Sequence, residues 1–428
     1  MLQNSVYKCN YCESKLRFRY QVGFFDIPVS IYCPNCNCHI IGKIFIDNEK
    51  VSIKEKIIGA SFVGSEDYDF VNELSTEFLI DILKDKSPAI NPISPFLRSN
   101  MLDEEKAYKM HRLFHFSKNS DGTINIIENL YRLLDDERVD LIQKYFLESD
   151  DVYLIEQRKK IDFNKIINKL DAMLAIKHYI NILIIPIMPE GVFNHLYNIL
   201  NVETRRLTTN HIAKVMNFLK DMDESFFQTY LHRIPKFIVD YIKCVDQLIP
   251  IYNVYQDFDS INFKEKGITT LSVDDMVVIY KKGYELLCDS IDLLIGLYNI
   301  ELNGAHNDFG DGPTDFAAKL NNYNSKFIKY QSFTSKESTL FDGIKGVLNN
   351  VIRNAEGHNS IVINGLEQKI SFINKHKGSQ NTFDTSFLEF GKMCIDLFVS
   401  VLYVWEYYYQ FVKLKSVLID RIPLHYGK

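Results

Sequence analysis

Five of the chain's eight cysteines crowd into its first 38 residues, at Cys9, Cys12, Cys33, Cys36 and Cys38. Four of them form two C-x2-C pairs, Cys9-Asn10-Tyr11-Cys12 and Cys33-Pro34-Asn35-Cys36, with twenty residues between the pairs. No other feature constrains the fold as tightly. Two thiol-bearing turns that share one tetrahedral ion must lie side by side, and about sixty residues bury too little surface to be secure without such a staple. Clustered thiols suit a metal site in a reducing compartment better than a disulfide framework. The other three, Cys244, Cys288 and Cys394, sit singly among apolar residues and read as buried small hydrophobes.

The surrounding residues are β-rich. Leu16 to Phe25 and Ile40 to Ile46 are β-branched or aromatic runs bounded by Gly23, Pro28 and Gly42. The expectation for residues 1–60 is therefore a zinc ribbon, with Cys9, Cys12, Cys33 and Cys36 at two hairpin tips. A closed four-thiolate set is structural, because a catalytic zinc keeps one position open. Cys38 stands as an alternative to Cys36, and His39 lies beside it. Lys15, Arg17 and Arg19 alternate with Leu16, Phe18 and Tyr20, which places three cations on one strand face. That face is either a nucleic-acid strip or a solvated surface.

A chain of 428 residues, 46% hydrophobic and 24% charged, is long enough for two or three ordinary globular domains. Its formal charge of −6 argues against a broadly basic surface, so contact with nucleic acid needs a local patch. The longest apolar stretches are interrupted, Tyr179–Met188 by Asn181 and Pro186 and Met393–Tyr409 by Asp396 and Glu406. With a polar, cysteine-bearing start and no leader pattern, the expected setting is cytoplasmic, with no membrane contact.

Residues 61–265 read as a helical scaffold. Apolar residues recur at helical steps over Asp69–Lys84, Asp103–Phe116, Ile124–Phe146, Phe163–Ile185, Ile212–Leu219 and Ile234–Leu248. Gln256–Thr270 is a polar boundary. Beyond it, 266–428 is expected to be a helical bundle: a helix capped by Ser272, a second from Pro313 to Tyr330, a third from Ser335 or Lys336 to Glu356, and an apolar final helix from Phe383 to Lys415. The fold class expected is mainly α, with a small β-rich ribbon, a helical middle and a C-terminal bundle bearing a β-hairpin.

Arg353-Asn354-Ala355-Glu356-Gly357-His358 ends the third of these helices. A guanidinium suits phosphate oxygens and an imidazole moves protons near neutral pH, which is the minimum kit for cutting RNA without a metal. On a continuous helix residues five apart differ by about 140° in azimuth and diverge. Gly357 as a left-handed cap would return His358 toward Arg353. Asn364-Gly365 between alternating residues then signals a tight hairpin.

Arg353-Asn354-x3-His358 resembles the R-x4-6-H motif, with its Arg-Asn opening, of the HEPN ribonucleases (higher eukaryote and prokaryote nucleotide-binding domains). The resemblance covers roughly 270–425. It implies a metal-independent endoribonuclease, often a toxin or phage-defence effector, with paired sites at a homodimer interface and at times an antitoxin partner. His358 would transfer a proton at the 2′-hydroxyl or the leaving oxygen, Arg353 would hold the scissile phosphate, and Asn354 would orient either group. A non-catalytic protein that binds a partner or nucleic acid through ribbon and bundle is the alternative.

Three other patterns lack the residues their chemistry needs. Arg206-x4-His211 repeats the spacing without the following Asn, the glycine or the hairpin. His306-Asn307-Asp308-Phe309-Gly310-Asp311-Gly312 has the composition of a cation loop but lacks EF-hand spacing. His111 and His115 share a helix face without the zincin glutamate.

Overall fold

The computed structural model describes residues 2–47, 52–64, 67–82, 95, 104–357, 360–376 and 379–427. Contacts divide the chain into two compact units, each assembled from three stretches: 1–120, 241–281 and 349–396 in the first, 121–240, 282–348 and 397–428 in the second.

The first unit holds the strands. β1 (Leu2–Cys9) and β2 (Lys15–Gln21) form an antiparallel hairpin, extended by β6 (Ala60–Phe62) beside β1 and by β7 (Phe70–Leu74) parallel to β2. A second sheet runs β3 (Ile27–Tyr32), β4 (His39–Asp47), β5 (Ser52–Ile58). Alternation decides which face is dry: Leu16, Phe18 and Tyr20 from β2 meet Ile27, Val29 and Ile31 from β3 in one core. Glu55 of β5 enters that region and accepts hydrogen bonds from the hydroxyls of Ser5, Tyr7 and Tyr20.

Further strands follow. β8 (Ile80–Asp81) pairs with β9 (Lys266–Gly267), and β10 (Ile361–Asn364), β11 (Lys369–His376) and β12 (Ser379–Ser386) form a third sheet. The helices of this unit include α1 (Glu104–Lys118), α9 (Val245–Val254), the start of α10 (Val273–Asn303), the short α13 (Asn350–Gly357) and the start of α14 (Phe387–Leu414).

The second unit is helical: α2 (Ser120–Asp135), α3 (Val139–Glu148), α4 (Val152–Gln157), α5 (Lys169–Ile184), α6 (Val192–Asn198), α7 (Thr204–Asp221), most of α8 (Glu224–Ile242), α11 (Phe316–Asn321), α12 (Lys326–Thr334), and the remainders of α10 and α14. The stretch Lys169–Ile187 is long and apolar enough to cross a membrane, yet 67% of it is buried in the fold.

The expected fold class is overturned. The structure is 56% helix and 18% strand in several sheets, and no part of it identifies a HEPN bundle. Residues 266–428 form no bundle of their own but are shared between both units. Three local causes account for the differences. Asp69–Lys84 carries apolar residues at steps that fit a helix, but Phe70, Val71 and Leu74 are buried in β7, where pairing with β2 decides the conformation. The expected third helix is only a 3-10 turn at Thr339–Phe341 followed by α13; Gly346 between them has φ +76°, a left-handed break. The final helix starts late because Ser386 and Glu389 form a capping box: Glu389 N donates to Ser386 Oγ at 3.1 Å, and Ser386 N donates to Glu389 Oε2 at 2.8 Å. That signal was present in the sequence as Ser386-Phe387-Leu388-Glu389.

The hairpin also differs. Asn364 pairs with Lys369, so four residues turn the chain rather than two. The left-handed residue is Gln368, at φ 53°. Its side-chain amide accepts from Ile268 N at 2.7 Å and donates to Ile268 O at 2.8 Å, which fixes the turn from outside. Gly365 serves close approach instead: a Cβ there would lie 2.2 Å from Tyr32 Cβ.

Candidate metal centre and the Arg353 helix end

The two cysteine turns are copies of one backbone design. Glu13 N donates to Cys9 O at 3.0 Å, and Asn37 N donates to Cys33 O at 2.8 Å. Cys9 N donates to Ser14 O, and Cys33 N to Cys38 O, each at 2.9 Å. Glu13 and Asn37, the residues just after Cys12 and Cys36, take φ of 63° and 56°. The left-handed step lets each turn reverse within one residue, so both cysteines of a pair face the same point.

Those points coincide. The four sulfurs of Cys9, Cys12, Cys33 and Cys36 lie within 4.8 Å of one another. Cys9 and Cys36 are 3.7 Å apart, Cys12 and Cys33 3.5 Å. A tetrahedron with metal–sulfur bonds of about 2.3 Å has edges of about 3.8 Å. The four cysteines can therefore hold a metal ion. Burial pushes the Cys33 thiol up; at Cys12 a smaller burial effect is outweighed by hydrogen bonds from Ser14 and the neighbouring cysteines, bringing it down to about 6. A metal replaces these protons on binding.

Cys38 and His39 are resolved by their other engagements. Cys38 contributes its carbonyl to the second turn and lies outside the four-sulfur cluster. His39 Nε2 is 2.9 Å from Ser30 Oγ, and its ring stacks on Tyr32 at 4.5 Å.

The supposed cationic strip is not one. Arg19 is only 2% exposed and bonds Glu73 of the neighbouring β7 at 2.5 Å, while Arg17 lies 4.9 Å from the Tyr68 ring. Glu73, opposite Arg19 on the parallel partner strand, neutralises the buried cation, while Lys15 and Arg17 stay half-buried.

Arg353 and Asn354 stand on α13. Asn349 caps the helix, its Oδ1 accepting from Val351 N at 2.9 Å. Ile352 and Ala355 are buried, Glu356 pairs with Lys281 at 2.6 Å, and Arg353 is exposed. Arg353 Nη1 donates to Asn354 Oδ1 at 3.3 Å. His358 lies outside the described residues. Gly357 does not provide the expected left-handed cap: it is the last helical residue and has no positive φ. Ser360 N donates to Ala355 O at 2.9 Å and satisfies one of the last carbonyls of the helix.

The remaining patterns fall away on geometry. Arg206 is paired with Glu203 and Glu301, and His211 sits at a non-helical kink in α7. In the 306–312 loop Asp308 Oδ1 accepts from Gly310 N and Gly312 N at 2.9 and 3.1 Å, closing the loop on itself. His111 and His115 touch through their Nε2 atoms at 3.0 Å, with no third ligand beside them among the described residues.

Asn37 ties the two regions together within the first unit. Its left-handed backbone ends the second cysteine turn, and its Nδ2 donates to Ile363 O of β10 at 3.1 Å. The strand after His358 thus rests on the metal-binding turn. Comparison with family models, curated proteins and solved structures returns no match, so functional expectations rest on the residues themselves.

Proposed function

We propose that the chain is a metal-independent endoribonuclease whose scaffold is held by a structural zinc. The observation that carries this reading is the exposed Arg353, bonded to Asn354 on a helix whose other face is locked into the core, with His358 five residues after Arg353 in the sequence. Arg353 would bind the scissile phosphate and stabilise the charge that develops on it. His358 would move a proton at the 2′-hydroxyl or the leaving oxygen, and Asn354 would orient either group. The products are a 2′,3′-cyclic phosphate and a 5′-hydroxyl, and DNA, lacking the nucleophile, is spared.

Zinc is the metal proposed for the cysteine site, because four thiolates in a tetrahedron favour it and leave no open position for catalysis. Two copies would pair their sites, so the active species is a homodimer. Unrestrained cleavage would make the protein toxic to its cell and place it among defence effectors.

The test is incubation of zinc-loaded wild type, Arg353→Ala and His358→Ala with total RNA in brief EDTA. Cleavage by wild type alone supports the reading. Equal cleavage by His358→Ala, or none by any of the three, removes it. The second reading, a non-catalytic zinc-stapled binding protein, is favoured by the closed thiolate set, and retention of bound RNA without cleavage would select it.

A further inference from the structure

The second unit contains a cavity of about 490 Å³, within the range of small-molecule sites. Two long, strongly apolar helices place charged residues in its wall: Lys177 on α5, and Glu406 and Lys413 on α14. Lys177 and Glu406 form an ion pair, with side chains 11% and 5% exposed. Gln410 Nε2 holds the other carboxylate oxygen at 2.6 Å, and the Lys177 ammonium lies 5.8 Å from the Trp405 ring and 5.6 Å from Tyr409. Taking two charges out of water is costly, and well-packed apolar residues would serve stability as well or better. A preorganised polar floor under apolar walls is, by contrast, what a ligand site requires.

Two further observations point to a ligand. Phe193 and Tyr197, four residues apart on α6, line the mouth and are 56% and 58% exposed. They offer aromatic faces to whatever enters. Tyr426, also in the wall and only 7% exposed, has a buried hydroxyl with no hydrogen-bond partner among the described residues.

We propose that this cavity binds a nucleoside or its monophosphate, with the base between the Phe193 and Tyr197 side and the amide-lined wall. Asn181 and Gln157 present paired donors and acceptors of the kind that read a base edge, while Gln410 and the neutralised Lys177–Glu406 pair form the floor. Burial lowers the His178 pKa, so its imidazole adds no charge at neutral pH. Lys413 on the same wall accommodates a phosphate. A simple aliphatic ligand would use neither the ion pair nor the amides. The site shares no residue with the cysteine cluster or with Arg353, so it stands or falls apart from RNA cleavage.

Trp405 is the only tryptophan in the chain and lies behind the cavity floor, 5.8 Å from the Lys177 ammonium, so its emission responds to changes at that ion pair. Full-length protein is titrated with adenosine, guanosine, cytidine, uridine and their 5′-monophosphates, and separately with sodium dodecanoate. The expected result is a saturable change with at least one nucleoside or nucleotide, weakened about tenfold or more in Phe193→Ala, an exposed position unlike the buried floor. Asn181→Leu, checked for folding by circular dichroism, should shift the preference among bases. No saturable change up to millimolar nucleoside or nucleotide overturns the proposal. So does binding of dodecanoate alone, or binding that Phe193→Ala and Asn181→Leu both leave unchanged.

Discussion

The cysteine turns and the Arg353 helix end lie in the same unit yet are built on opposite principles. Each cysteine turn is closed by the same two backbone hydrogen bonds and the same left-handed step, and the core shared by β2 and β3 brings the two turns and their four sulfurs together. The Arg353 end is half anchored: Ile352 and Ala355 hold one face, while Arg353 itself is exposed beside Asn354. Residues that must meet one metal ion are held within each pair by local geometry and between the pairs by a packed core. Residues that must meet a substrate keep their polar ends toward solvent, and stability asks little of them.

The largest effect should come from breaking the metal centre. Cys9→Ser or Cys33→Ser is expected to abolish bound zinc by metal analysis and to melt the surrounding strands, since structural zinc contributes about 10 kcal/mol or more in small domains. One full equivalent of zinc in either variant would overturn the assignment.

A smaller effect is expected at the buried pair of β2 and β7. Glu73→Leu strands Arg19 without its partner and should cost about 3–5 kcal/mol in urea titration, whereas Arg19→Met with Glu73→Leu should recover most of it. If the double variant is no better than the single one, the pair contributes more than mutual neutralisation.

Asn37 probes the link between the regions. Asn37→Gly loses only the bond to Ile363 O and should cost about 1 kcal/mol, while Asn37→Ala also replaces a residue that tolerates the left-handed region by one that does not and should cost roughly 1–2 kcal/mol more. Equal losses would mean that the backbone step is not what the position demands.

The smallest stability effect belongs to Arg353→Ala, expected within about 0.5 kcal/mol of wild type by thermal melting, with RNA cleavage lost. A loss of several kcal/mol would recast Arg353 as a structural residue and erase the contrast between the two regions.

Much of the metal centre was legible because a C-x2-C pair encodes its own turn. The choice of Cys36 over Cys38 was not, since it depends on the carbonyl of Cys38 closing the turn and on Ser30 and Tyr32 engaging His39. At the Arg353 end the buried helical face was readable from Ile352 and Ala355. The way the helix closes was not: Gly357 suggested a glycine cap, but the bond from Ser360 depends on the chain's return into β10 and β11, where Ser360 O accepts from Ile373 N at 2.9 Å. The cavity in the second unit left a trace too, in charges set among apolar residues at Lys177 and Glu406, although nothing in the sequence pairs them.

By itself the sequence determined what local forces control: the two cysteine turns, the capped start of α10 at Ser272 and the apolar stripes that became cores. Tertiary structure decided what depends on partners far along the chain. Phe70–Leu74 became a strand because β2 offered an edge, Gln368 turned left-handed because Ile268 offered both backbone groups, and Arg19 was buried because Glu73 met it. A hydrogen bond or an ion pair needs both members, and the sequence supplies the second only once the fold has brought it near.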